Sequence, residues 1–550
     1  MNTHLREVQH QTINGDIYDY YESIIDKITS SGEGSDTKFL SFDSSEPPCP
    51  IGPGQFTRLK LTDGSCNLTS FDSSFIILKI RTQVKFTATG NFNDFIAHYD
   101  QDLNDVPVLF IGFKTGIHAI DHYRFYCDKG RGYICEQSQA IYESAVTWFA
   151  KSQEEIEGSK GAYASYDDIM DIRTAVPGTY LTYKDIKEAI EANNEIPIEF
   201  EVTIKYDDFA PLQFFKIYPN SVCGNLQMEF KINSSKNFVA CPIPFDKQLN
   251  FMKKYKPTFY TSLIGRGAGS LLSTVSGGVD RRISHKFVNM GDTFKFAVPT
   301  MADGTQFMNA LYGDAQFNVS SPYLISARSY INGYNISQSN VDNLRMLFTN
   351  HKVYIPGQRI DQYSFSQTPS QTNMTCNTTQ SLINCSSIAF IWPKSPFQLT
   401  CSENPMCSSI QLMIDNKTYP DKPFTTYDLV HSNYILNNLM FDDIFKPNHS
   451  LRLSIADDKT NEDYDNTNYM FVVSLERLDS DPFVFDGITK DNCFITLNGT
   501  FDVRRSDYSI STTKQPPIML ICQDTVWELS SEGVNYYYND KNIIPSISNN

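Results

Sequence analysis

Short runs in which apolar and polar residues alternate recur along most of this chain. In PIEFEVTIKY, Ile198, Phe200, Val202, Ile204 and Tyr206 alternate with polar residues, and Leu226, Met228, Phe230 and Ile232 do the same in LQMEFKI. A period of two puts every second side chain on one face, so each run predicts a strand with one buried side. LKLTDG, FIILKIRTQVKFTA (75–88), DTFKFAVP, SIAFIW, SIQLMID, LRLSI, YMFVVSLER and FITLNGTFDV are strand-like too, with Asn/Asp/Pro/Ser loops between the later ones. Helical spacing is rarer. Ile17, Tyr21, Ile24, Ile25 and Ile28 predict a short amphipathic helix over 16–29, docked on its own domain or on a neighbouring subunit. Two further helices are predicted, over 137–157 (with Ile141, Ala145, Trp148 and Phe149 on one face) and over 183–193.

These patterns divide the chain into an N-terminal arm (1–39), a β-rich block (40–245), a basic Gly/Ser-containing linker (246–286), a second β-rich block (287–522) and a polar tail (523–550). Two β blocks of similar length in tandem, with long variable loops, predict an all-β fold. It would consist of two tandem eight-stranded jelly-roll β-sandwiches, a double jelly roll, with short helices inserted in loops. The Asn/Ser/Thr-rich stretch 366–386 reads as one of the long loops.

Charge sharpens this picture. The 550 residues carry a formal net charge of −17, which excludes a general nucleic-acid-coating protein. The linker is the exception. From Lys247 to Lys286 it holds eight basic residues against one acid, Asp280. Lys253, Lys254, Lys256, Arg266, Arg281 and Arg282 form a candidate basic patch, to be weighed against an ordinary solvated connection. The longest apolar run, PVLFIGF, is strand-sized, so no membrane-spanning segment is expected. The first residues lack the apolar core of a secretory signal, which predicts a soluble protein made in a reducing compartment.

Candidate chemistry is sparse. The 12 cysteines contain no C-x-x-C pair and are expected as buried or free thiols, with 376–407 the best place for an exception. GRGAGS at 265–270 lacks the lysine of a phosphate-binding loop, and no G-x-S-x-G elbow occurs. His118 and His122 stand four apart without a third ligand and read as structural. The acidic loop with Asp457, Asp458, Glu462, Asp463 and Asp465 lacks the glycine and glutamate of a calcium loop, having Asn468 and Ser474 in those places. Ten N-x-S/T sequons, among them Asn67, Asn318, Asn335, Asn373 and Asn377, are about what an Asn/Ser/Thr-rich chain produces by accident. No catalytic residue, cofactor or metal is assigned. Three classes stay open: a structural protein, a carbohydrate-binding β-sandwich and a hydrolase on the same fold.

A set of segments, in order along 107–502, favours the first class. They are PVLFIGFKTGIHAIDHYRFYC (107–127), EQSQAIYESAVTWFAKSQEE (136–155), DDFAPLQFFKIYPN (207–220), AVPTMADGTQFMN (297–309), SARSYINGYNIS (326–337) and IPGQRIDQYSFS (355–366). SIQLMIDNKTYPDKPFTTYD (409–428) and FVFDGITKDNCFITLNGTFD (483–502) complete the set. Together they resemble the double jelly-roll major capsid protein of the Polinton/Maverick (adintovirus-like) lineage, related to virophage capsid proteins and adenovirus hexon. The resemblance implies a homotrimer of six jelly rolls, a pseudo-hexameric capsomer. It also implies neighbouring capsomers, a single jelly-roll penton protein at the vertices, and a virion enclosing double-stranded DNA, which the basic patch would touch.

Overall fold

The computed structural model describes residues 11–12, 21–26, 36–42, 51–89, 101–129, 133–138, 140, 141, 143, 161–163, 169, 176–234, 237–243, 245–263, 287–302, 306–370, 372–395, 398–402, 405, 407–425, 470–475, 484–485, 487–501 and 515–537. The predicted strand LRLSI, the acidic loop, GRGAGS, Arg266, Arg281 and Arg282 lie outside them, as does most of the predicted helix 137–157.

The alternating runs form the strands they predict. Ile196–Lys205 and Leu226–Ile232 bury every second residue along most of their length. In the first block, Phe56–Lys60, Leu226–Ile232, Ile120–Cys127 and Tyr133–Ser138 lie side by side in one four-stranded sheet. Val288–Asn289, Val239–Pro242, Pro107–Gly112 and Gly178–Thr182 make another. The chain passes from 107–112 to 120–127 and 133–138, back to 178–182, over to 226–232 and back to 239–242. This alternation between two sheets is the jelly-roll path. One core holds Leu59, Met228, Tyr123 and Phe125 from the first sheet together with Val108, Ile111, Leu181 and Ala240 from the second. Pro107–Gly112 is buried throughout, which is why its sequence is a continuous apolar run and not an alternating one.

The second roll is complete. Its strands are Val353–Ser364, the two halves of Asn373–Ile391, Cys407–Ile414, Lys417–Thr425, Met470–Ser474, Ile488–Phe501 and Ile518–Ser530. The strand Asn373–Ile391 changes register between Gln380 and Cys385. Its first half pairs with 488–501, and its second half pairs with 518–530 and 470–474. In chain order, one layer therefore runs first, eighth, third, sixth and the other second, seventh, fourth, fifth. Both layers supply one core, with Cys376, Leu412 and Leu497 from one and Ile388, Phe471 and Ile521 from the other. The stretch 366–386 is thus a strand from residue 373 onward and not a loop. Its Asn and Thr residues are the solvent face of an alternation whose inner face is Met374 and Cys376, both buried.

Two parts of the chain are placed differently from their sequence blocks. Gln306–Val319 and Tyr323–Asn335 hydrogen-bond to the 22-residue strand Leu68–Thr89, so they extend a sheet of the first block. The linker begins as two helices, Phe245–Tyr255 and Pro257–Leu263. Leu249, Met252 and Phe259 bury against the first core, and Tyr183 Oη donates to Gln248 Oε1 at 2.5 Å. The predicted helix at 183–193 forms as Tyr183–Ala192, capped by Thr182, whose hydroxyl accepts from Asp185 N. The helical residues 21–26 of the arm dock on their own chain: Tyr21 and Ile25 are buried, and Tyr21 Oη donates to the Ile217 carbonyl at 2.9 Å.

Candidate functional site

A set of ring and hydrogen-bond contacts joins the two rolls along a seam. Trp527, on the last strand of the second roll, is fully buried. Its ring packs at 4.7 Å from Tyr536 and at 5.3 Å from Phe215, with Phe125 at 6.5 Å. Its Nε1 donates to the Pro211 carbonyl of the first block. Pro211 sits in the one-turn helix Ala210–Leu212, which frees carbonyls that a strand would have paired. Opposite it, Gly357 leaves room for this approach: a Cβ there would meet Thr525 Oγ1 at 3.1 Å and both the Pro211 carbonyl and Trp527 Cδ1 at 3.3 Å. Gln137 Nε2 donates to the Ile360 carbonyl at 2.7 Å, and Tyr536 Oη to the Gln358 carbonyl at 3.1 Å. The two cores interleave here. Val353, Ile355, Trp527 and Leu529 belong to the first core, while Ile141 and Ala210 belong to the second.

Glu143 is buried in this seam. Its Oε1 accepts from Tyr123 Oη at 2.6 Å and its Oε2 from Ala210 N at 3.4 Å. Burial pushes its carboxyl up to about 8, against the opposing pull of those two donors and the Arg359 guanidinium. Burial also holds Tyr123 and Cys135 well above their ordinary ranges. The carboxyl is therefore held towards its neutral form, hydrogen-bonded within the first block, with the Arg359 guanidinium of the second roll acting on it through charge. Catalytic carboxylates share such shifts; here the described groups around Glu143 are the Tyr123 phenol, the Ala210 backbone, the Cys135 thiol and the Arg359 guanidinium.

On the outer face of the first roll, Arg58, Glu229, Arg124 and Glu136 stand directly opposite one another across four strands. Arg58 and Arg124 approach Glu229 at 3.5 and 3.9 Å, and Arg124 reaches Glu136 at 2.9 Å. Arg124 also lies over the Phe56 ring, 4.8 Å from its centroid. His122 Nε2 is 2.6 Å from Glu136 Oε1. His118 is buried in a one-turn helix, and burial with nearby Lys114 drives its imidazole down to about 3. The two histidines therefore serve separate structural surroundings. Among the described residues, no group of three or more His, Cys, Asp or Glu could hold a metal ion, and no helix is long and apolar enough to cross a membrane.

The basic patch is only partly placed. Lys253 and Lys254 are exposed in the last turn of helix Phe245–Tyr255. Lys256 is committed to its own chain, 3.1 Å from Asp105 and donating to the Asp102 carbonyl at 2.8 Å. Ten cysteines are free and buried, Cys376, Cys385 and Cys407 among them.

Sequence reasoning passed over the seam. Yet three of the segments carrying the capsid resemblance supply it: 136–155 brings Gln137 and Glu143, 207–220 brings Ala210 and Pro211, and 355–366 brings Gly357, Arg359 and Ile360. The signal was there as segments, without the contacts that unite them.

No protein-family model matches the chain, and no curated protein does. Several solved structures do. VP54 of PBCV-1, fitted into a reconstruction of the virophage Sputnik, is 9% identical with a TM-score of 0.46, covering 92% of this chain and 98% of that one. The mavirus major capsid protein is 9% identical with a TM-score of 0.43, covering 91% and 90%. The Faustovirus major capsid protein is 7% identical with a TM-score of 0.41, covering 94% and 98%. These likenesses stand beside the strand order, which by itself defines the two jelly rolls.

Proposed function

We propose that this chain is a major capsid protein, a structural and non-enzymatic protein located in the virion. The observation that carries this reading is the seam: two jelly rolls in one chain, joined through an interleaved core. Such a joint fixes the angle between the rolls, which a lattice building block needs. Three chains related by closed symmetry would bring six rolls into a pseudo-hexagonal capsomer. Contacts between protomers would cover sheet edges that invite uncontrolled pairing. The ordered segments at 107–502 favour the Polinton/Maverick lineage and, with it, an icosahedral shell around double-stranded DNA and a separate single jelly-roll penton protein.

The experiment is light scattering on the purified chain with negative-stain imaging of the same peak. A particle of three 62.6 kDa chains with a hexagonal outline is expected. A compact monomer at micromolar concentration overturns the reading and returns the carbohydrate-binding and hydrolase classes to the front.

The linker adds a finer reading. Lys253 and Lys254 project from their helix and, with Arg266, Arg281 and Arg282, would face the packaged DNA. Lys256, already paired, is left out. Neutralising Lys253, Lys254, Arg281 and Arg282 together is expected to reduce genome retention and spare trimer formation, with a salt dependence from counterion release. Unchanged packaging in that variant would remove the DNA contact.

A further inference from the structure

One sheet face of the second roll differs from the charged outer face of the first. On strand Asn373–Ile391, Asn373, Thr375, Asn377 and Thr379 alternate with the buried Met374 and Cys376. Directly opposite, on Ile488–Phe501, stand Thr500, Asn498, Thr496 and Phe494. Beyond them, on Cys407–Ile414, come Ser409, Gln411 and Met413. Amide and hydroxyl side chains alternate along and between the first two strands, Ser409 and Gln411 continue the polar surface on the third, and none of these positions is charged. Charge is kept to the rim, where Lys490 pairs with Asp415 at the turn and Asp421 and Lys422 lie on the neighbouring strand. Phe494 is 48% exposed at one end of the face. Asn377 Oδ1, shielded from solvent, has no hydrogen-bond partner among the described residues.

We propose that this face binds a neutral carbohydrate chain. Sugar hydroxyls both donate and accept, as amide and hydroxyl side chains do. Along the Asn and Thr rows a ligand without charge would meet no ionic group that had to be stripped of water; at the Phe494 end the Asp415 carboxylate is already paired with Lys490 and accepts from Phe494 N. The exposed Phe494 ring offers an apolar platform for the C–H side of a sugar ring. At about 3.4 Å per residue and about 4.8 Å between strands, the face measures roughly 20 by 10 Å, enough for an oligosaccharide laid along the strands. Nucleic acid would require cations to neutralise its phosphates, and this face has none. The same geometry explains three sequons. In a strand, N-x-T places Asn and Thr on one face, so Asn373, Asn377 and Asn498 head sequons because the face alternates.

The test is affinity electrophoresis of the full chain in native gels containing dextran, mannan or hydroxyethyl cellulose. Retardation in at least one gel is expected. Asn498→Lys and Phe494→Ala, both outward-facing, should each weaken it about tenfold or more, about 1.4 kcal/mol, with unchanged circular dichroism. Should Asn498→Lys fail to fold, Thr375→Lys, which places a charge on the partner residue of the same row, takes its place. Free migration in all three gels overturns the proposal, as does retardation that survives the lysine variant. A lysine variant that instead dissociates an assembly, with no polysaccharide effect, would also overturn it, making the face a contact between copies of this chain.

Discussion

At the scale of single residues, two buried titratable groups act in opposite directions on stability. Glu143 keeps its proton in the folded chain up to about pH 8, whereas the unfolded chain releases it near pH 4.5. Between those values the folded state binds more protons, so its stability falls as pH rises, by about 1.4 kcal/mol per pH unit at most. His118 behaves conversely. Folded, it resists protonation down to about pH 3; unfolded, it protonates near 6.5. Its contribution is lost as pH falls through that window. Glu143→Gln keeps an amide oxygen for Tyr123 and removes the ionisation. It should flatten the decline in stability between pH 4.5 and 8 and raise the melting temperature at pH 8 by several degrees. Calorimetry at pH 5, 6.5 and 8 measures this. An unchanged pH profile would mean that Glu143 is ionised in the native seam.

At the scale of elements, alternation determined most of what the chain forms. It also misled where one face of a strand is rich in Asn and Thr, since those residues signal turns as well as solvated faces. Residues 373–380 show the ambiguity: their inner Met374 and Cys376 carry the strand signal alone. The row Arg58–Glu229–Arg124–Glu136 could not be foreseen, because register across strands is set by chain segments far apart in sequence. These side chains are half-buried or more exposed, so each pair contributes modestly. A double-mutant cycle on Arg124 and Glu136 should give a coupling of about 0.5–1 kcal/mol in low salt, shrinking in 1 M salt. A coupling that ignores salt would point to packing of Arg124 on Phe56 as the larger contribution.

At the scale of the whole molecule, the seam makes two rolls behave as one body. Trp527 ties the last strand of the second roll to Pro211 of the first and fills the space between Phe215 and Tyr536. Trp527→Ala should cost about 3–5 kcal/mol and split a single calorimetric transition into two. Trp527→Phe keeps most of the packing but leaves the Pro211 carbonyl unpaired, at a cost of about 1–3 kcal/mol. If the alanine variant still melts in one step, coupling between the rolls resides elsewhere, with Gln137 and Tyr536 the next contacts to remove.

By itself the sequence determined the all-β class, the tandem arrangement, the helix at 183–192 and the burial of the ten described cysteines. These follow from local periodicity and composition, which need no knowledge of partners. Only the tertiary structure decided that residues 306–335 extend a sheet of the first block and that the linker opens as two docked helices. It alone brought Glu143, Pro211, Gly357 and Trp527 together, and set the outer Asn and Thr residues of two strands, with Ser409 and Gln411 of a third, into one uncharged face. The reason is the same in each case. Which strand lies beside which, and in what register, depends on pairings between segments tens to hundreds of residues apart, and no local pattern encodes them.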